Sequence, residues 1–77
     1  MPCVQRLGGV KVYIYADDEN PPHFHVRSAE SNAKIRIDNL QIMRGEIKRS
    51  EYAIVVEWAA TRQEWLLQKW SEFNERD

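Results

Sequence analysis

Three short stretches of this chain alternate apolar and polar residues with a strict period of two: Val10-Lys11-Val12-Tyr13-Ile14-Tyr15, His23-Phe24-His25-Val26-Arg27-Ser28 and Ala33-Lys34-Ile35-Arg36-Ile37-Asp38. Successive side chains of a strand point to opposite faces, so this pattern assigns a face to every residue it contains. Registered on one antiparallel sheet, the stretches place Val10, Val12, Ile14, Phe24, Val26, Ala33, Ile35 and Ile37 on an inner face. The outer face receives Lys11, Tyr13, Tyr15, His23, His25, Arg27, Lys34 and Arg36, with Arg6 beside Lys11 and Asp38 as its one acid.

The residues between these stretches say how they join. Cys3-Val4-Gln5-Arg6-Leu7 precedes Gly8-Gly9, a two-residue hairpin signal because the turns that suit it need positive φ. That loop sets Leu7 across from Val10 and Gln5 across from Val12, leaving Gln5 on the apolar side unless a bulge or an edge position relieves it. The same register points Cys3 inward. Asp17, Asp18 and Glu19 form a solvated acidic loop, and Pro21-Pro22 delivers His23 already extended. Ala29-Glu30-Ser31-Asn32 reads as a tight turn, and residues 39–45 as a connection in which Leu40 and Ile42 carry a weak strand signal.

No Gly or Pro follows Gly45. Ser50 suits an N-cap, and Glu51 suits the first turn, where the helix dipole favours an acid. Tyr52, Val56, Ala59, Gln63, Leu66, Trp70 and Phe73 then recur at spacings of 4, 3, 4, 3, 4 and 3, with Gln63 the only polar member. Such a stripe predicts one helix of roughly 25 residues, roughly 37 Å long, whereas six-residue strands span only about 20 Å. The helix therefore either overhangs the sheet or breaks near Ala60-Thr61-Arg62. On a straight helix Ile54, Trp58 and Trp65 lie opposite the stripe, and a helix apolar on two faces is covered on two faces, here by a partner or a second copy. A break would instead turn these residues into the same core. The expected fold is α+β in two layers: a small antiparallel sheet of three to four strands packed on a long C-terminal helix, in a single domain over residues 1–77.

Composition narrows the function. A net charge of -1 excludes a polyelectrolyte binder, so any affinity for nucleic acid must come from the locally basic sheet face. One cysteine cannot form an internal disulfide, the first residues hold no apolar leader core, and no apolar run is long enough to span a membrane. A cytoplasmic protein with no membrane contact is expected. His23 and His25 are the only groups whose ordinary pKa lies near neutrality. Two imidazoles fall short of a zinc ligand set. A third donor would have to be Asp38 or an acid of residues 17–19, since Cys3 faces inward, so no metal and no cofactor are expected.

Metal-independent cleavage of RNA needs a base, an acid and cations for the phosphorane, which makes His23 and His25 candidate catalytic residues of an endoribonuclease. Lys11, Arg27, Lys34 and Arg36 would hold phosphate, and Tyr13 and Tyr15 would stack on splayed bases. Two plainer readings stand beside this one. The face binds without chemistry, or it is only the solvated side of a two-layer domain, with His23 capping loop backbone.

Met1-Pro2, Val4, Arg6 and Gly8-Gly9 before a β run, then Asn20-Pro21-Pro22-His23-Phe24-His25-Val26, then Leu66-Leu67 with Trp70 and Phe73, resemble the small bacterial family catalogued as domain of unknown function 4160. The Pro-Pro-His-x-His-Val core is the specific part, and the likeness covers nearly the whole chain. Trp58 and Trp65 depart from it, in a helix that is usually more polar. The resemblance implies a short intracellular protein, often encoded beside a second small family (domain of unknown function 2442) in a pattern similar to toxin-antitoxin modules. On that basis the chain looks like the toxin side, and its expected partners are a cognate antitoxin-like small protein or a second copy, together with RNA.

Overall fold

The computed structural model describes residues 3–16 and 19–74. Five strands run in chain order across one antiparallel sheet: β1 (Cys3–Leu7), β2 (Val10–Tyr13), β3 (His23–Arg27), β4 (Asn32–Arg36) and β5 (Ile42–Glu46). Two helices follow, α1 (Arg49–Ala60) and α2 (Gln63–Asn74). The α+β class is as expected, but the sheet has five strands rather than three to four, and the long helix is divided into two at the expected break near residues 60–62.

The period-two stretches form β2, β3 and β4, and their faces fall as the alternation dictates. Val12, Phe24, Val26 and Ile35 are fully buried, and Ile14 and Ile37 stay inward although they lie just beyond the strands. Each such side chain contributes about 1.5–3 kcal/mol relative to an exposed one. The Gly8-Gly9 hairpin pairs Leu7 with Val10, and Gly8 supplies the positive φ, 63°, at the first loop position.

β1 carries the bulge that Gln5 called for. Its register shifts between Cys3 and Gln5, so Gln5 stands opposite Val12 and Cys3 opposite Tyr13. Skipping one residue moves Cys3 to the outer side, which corrects the inward placement expected from the sequence. Val4 and Leu7 pack on the edge of the core.

β5 occupies the far edge, and all five of its residues are exposed. A second irregularity, between Lys34 and Ile35, sets Ile42 opposite Ile35 and Arg44 opposite Lys34. Gly45 has φ 89°, and a Cβ there would overlap the Asn32 carbonyl oxygen. Only glycine fits this position.

The helices cover the inner face through Val55, Ala59, Leu66 and Trp70, with Tyr52, Val56 and Phe73 at the margin. Gln63, the polar exception in the stripe, is half-buried, and its Nε2 donates to the carbonyls of Ile37 (2.8 Å) and Asp38 (2.9 Å). It thereby satisfies the turn between β4 and β5. Tyr52 does the same for Leu40, donating its hydroxyl to that carbonyl at 2.6 Å. Ser50 is not the N-cap. The cap is Lys48, which makes no side-chain cap bond and whose backbone N–H donates to Ser31 Oγ at 3.0 Å. The same Ser31 hydroxyl and that of Ser28 both donate to Glu51 Oε1, at 2.5 and 2.7 Å, so the β3–β4 turn is tied to the start of α1.

The helix breaks at Thr61-Arg62, where Arg62 Nη1 donates to the Trp58 carbonyl at 2.8 Å. The break turns Trp58 partly onto the core and brings it edge-to-face with Trp65, ring centroids 6.2 Å apart. Ile54 and Trp65 stay exposed, at 49% and 38%. Among the described residues no helix is long and apolar enough to cross a membrane.

Candidate functional site

The strand registers place the outer-face residues in rows. One row runs Arg6, Lys11, Arg27, Asn32, Glu46 from β1 to β5. The next runs Cys3, Tyr13, His25, Lys34, Arg44, and a third pairs His23 with Arg36. Directly opposed like charges destabilise a sheet. This face nonetheless sets Arg6 beside Lys11, Lys11 beside Arg27, and Lys34 beside Arg44. Among the described residues none of these five cations forms an ion pair. Neighbouring strands are about 4.8 Å apart, so the first three cations stand on a base only about 10 Å wide.

Two acids besides Asp38 border this surface. Glu46 ends the first row, and Glu19 shares a hollow with Lys34, Met43 and Arg44. Asp38, expected as the only acid, instead holds Arg36 at 2.6 Å. Arg36 therefore lies on the expected face but is committed to a carboxylate of its own chain.

Lys11 and Arg27 flank a hollow of about 280 Å³ that Tyr13 and Gly9 also line. A second, of about 230 Å³, lies between His25, Lys34 and Arg44. Tyr13 and Tyr15 stack in parallel at 5.9 Å, and Tyr15 meets His25 edge-on at 4.3 Å. The ring series continues through His23, 5.0 Å from His25, to Trp70, 5.1 Å from His23. All the expected phosphate- and base-contacting residues thus share one side of the sheet.

The two histidines differ. His25 is half-buried, whereas His23 is only 1% exposed, beneath Trp70. Its Nδ1 lies 2.8 Å from the Pro21 carbonyl oxygen. A carbonyl only accepts, so this nitrogen carries the proton. The prolines therefore fix the ring of His23 as well as its backbone, and the Asn20–Pro21 peptide is cis. Sequence reasoning put His23 on an open face. The indole that covers it comes from α2, 47 positions along the chain, and no local pattern announces that contact.

Among the described residues no three His, Cys, Asp or Glu side chains gather as a metal site. Asp17 and Asp18, which the sequence offered as third ligands, lie outside the described residues. Cys3 is exposed on the same side as His25 but one strand beyond Tyr13. Of the remaining groups, Glu51 is held below the usual carboxylate range by the hydroxyls of Ser31 and Ser28, and by the charge of Lys48. Lys48 is raised by its bond to Glu30. Both belong to the helix-to-turn junction and not to the basic face.

A family model described as Domain of unknown function (DUF4160) matches residues 9–71, and the chain belongs to that family. The match spans the sheet from β2 onward, the His23–His25 stretch and most of α2. No curated protein and no solved structure matches the chain.

Proposed function

We propose that this member of the DUF4160 family binds single-stranded RNA across its outer sheet face, as the toxin-side member of a toxin-antitoxin-like pair. The observation that carries this reading is the row Arg6, Lys11, Arg27, three directly opposed cations that no acid of the described chain neutralises. Folding gains nothing from setting like charges side by side, and a phosphate backbone relieves the repulsion. Tyr13, next to this row, supplies a ring for a splayed base, which favours a single strand over a duplex. His25 is the imidazole of the pair that meets the bound strand. His23 acts through it as a positioning residue, because Trp70 covers it. Acid-base cleavage shared by both histidines at the substrate does not suit this burial, so the proposal is of binding first, with any proton transfer at His25.

The toxin-side role rests on the family resemblance and predicts that induction of the protein alone arrests bacterial growth. The test combines that growth assay with binding of a fluorescent single-stranded RNA at low salt. Wild type should bind, and Lys11→Ser/Arg27→Ser should bind at least tenfold more weakly and relieve the arrest. Wild type that binds no RNA would sink the reading. RNA left intact by a protein that binds it would leave binding and remove cleavage.

A second reading has its own observation. Ile54 and Trp65 stay exposed beside half-buried Trp58, with Arg62 and Lys69 lying over the two indoles. This helix surface suits a protein partner without chemistry. Loss of growth arrest in Trp65→Ser with RNA binding unchanged would assign the activity to that surface.

A further inference from the structure

We propose that β5 is a self-complementary edge through which two copies of this chain join into one continuous sheet. β5 closes the sheet on one side and is exposed along its whole length, including Ile42 (43%) and Met43 (40%). An edge strand presents a row of backbone donors and acceptors that another strand can take up. What decides the occupant is the charge pattern of the strand itself.

In a two-fold pairing about an axis perpendicular to the sheet, both outer faces stay on the same side. Each residue then meets one that points the same way. Arg44 and Glu46 point outward, opposite Lys34 and Asn32, and Gly45 between them pairs with inward Ala33. An axis through Arg44 would set Arg44 against itself. An axis through Glu46 would set Glu46 against itself and Arg44 against Lys48 of the second copy. An axis through Gly45 sets Arg44 against Glu46 of the second copy, twice. Of these three registers only the last is complementary in charge.

The charges it uses are available. Among the described residues neither Arg44 nor Glu46 forms an ion pair. At the axis stands Gly45, the one residue of β5 without a side chain, so no side-chain pair forms there and the charged pairs lie on either side of it. Against pairing stand the irregular register beside Met43 and the positive φ of Gly45, both of which disturb the outer ladder. The paired state would hold ten strands, with the Lys34–Arg44 ends of the two basic faces side by side. The proposal stands independently of whether that face binds RNA.

The test is the mass of the full chain in solution, by sedimentation equilibrium, with circular dichroism confirming that each variant is folded. Wild type should sediment at twice 9.1 kDa. Arg44→Glu alone and Glu46→Arg alone each set like charges across the axis, and each should weaken association at least tenfold. The double variant R44E/E46R restores opposite charges in reversed order and should return to the dimer. Trp58→Glu should leave the mass unchanged. A wild-type monomer at millimolar concentration would overturn the proposal. So would single variants as dimeric as wild type, a double variant that stays monomeric, or a dimer that Trp58→Glu dissociates.

Discussion

The imidazole of His23 lies against the indole of Trp70, ring centroids 5.1 Å apart, so the residue that begins β3 is held by one near the end of α2. Asn74, one turn further on, donates to the Tyr15 carbonyl at 2.9 Å. The last helix is thus fastened to the end of the sheet where β2 stops and β3 starts. Trp70→Ala should cost about 3–5 kcal/mol, as removal of a large buried aromatic does. His23→Ala should cost about 1–3 kcal/mol through its broken bond to Pro21. His25→Ala, which loses its ring contacts with Tyr15 and His23 at a half-buried site, should cost less than His23→Ala. Urea denaturation of the three variants checks the order. A His25 variant less stable than the His23 variant would reverse the roles assigned to them.

Gly45 and Gly8 both adopt positive φ, 89° and 63°, but in different surroundings. A Cβ at Gly8 meets nothing within 4 Å, whereas at Gly45 it overlaps the backbone of Asn32. Gly8→Ala should therefore cost only the conformational penalty, about 1–2 kcal/mol. Gly45→Ala adds a steric displacement of β4 and should cost more, beyond about 2 kcal/mol. Thermal denaturation of the two variants side by side checks this, and equal losses would contradict it.

Glu51 is the acid that ties the β3–β4 turn to α1. Its folded pKa lies below the usual 4.5, chiefly because Ser31 and then Ser28 donate to its charged form. A depressed carboxylate contributes stability that is complete above its unfolded pKa and is lost as pH falls through the folded one. Wild type should thus exceed Glu51→Gln in urea midpoint at pH 7, and the gap should narrow as pH drops below about 4.5. A gap that is the same at pH 3 and pH 7 would show that the hydroxyls do not prefer the carboxylate.

The sheet faces were legible because period-two alternation is local. Val12, Val26 and Ile35 need no knowledge of the rest of the chain to be placed inward. β5 was only faintly legible, through Ile42, for the opposite reason. Ile42-Met43-Arg44-Gly45-Glu46 is exposed throughout, so burial wrote no alternation into it, and its glycine resembles loop sequence. The helical stripe gave the core positions on both sides of Thr61-Arg62, and the length mismatch pointed to a break there. It could not choose between break and overhang, since no Gly or Pro marks the site. Val55, fully buried, sits beside the stripe and went unassigned for want of a partner visible in sequence. At the candidate site the residue types and their shared face were readable. The burial of His23 was not, since it depends on where α2 docks, and neither was the side taken by Cys3, which a single bulge inverted.

The opposed cations yield a prediction that separates binding from folding. Lys11 and Arg27 face each other across β2 and β3 without an acid of the described chain between them. Replacing Lys11 with Ser removes a repulsion, so stability should hold or rise by a few tenths of a kcal/mol, on the order expected for cross-strand pairs. RNA binding should respond in the opposite sense. Each cation removed from contact with a single strand should lower the slope of log K against log salt by about 0.7, so Lys11→Ser/Arg27→Ser should lose about 1.4. Arg36→Ser should leave the slope unchanged, because Arg36 already holds Asp38. Tyr13→Ala should weaken binding by about 1–3 kcal/mol at every salt concentration without altering the slope, as loss of a stacked base does. Salt titrations of wild type and the four variants, read beside their melting temperatures, check all of this. A double variant that binds with the wild-type slope would show that this row of cations does not meet phosphate.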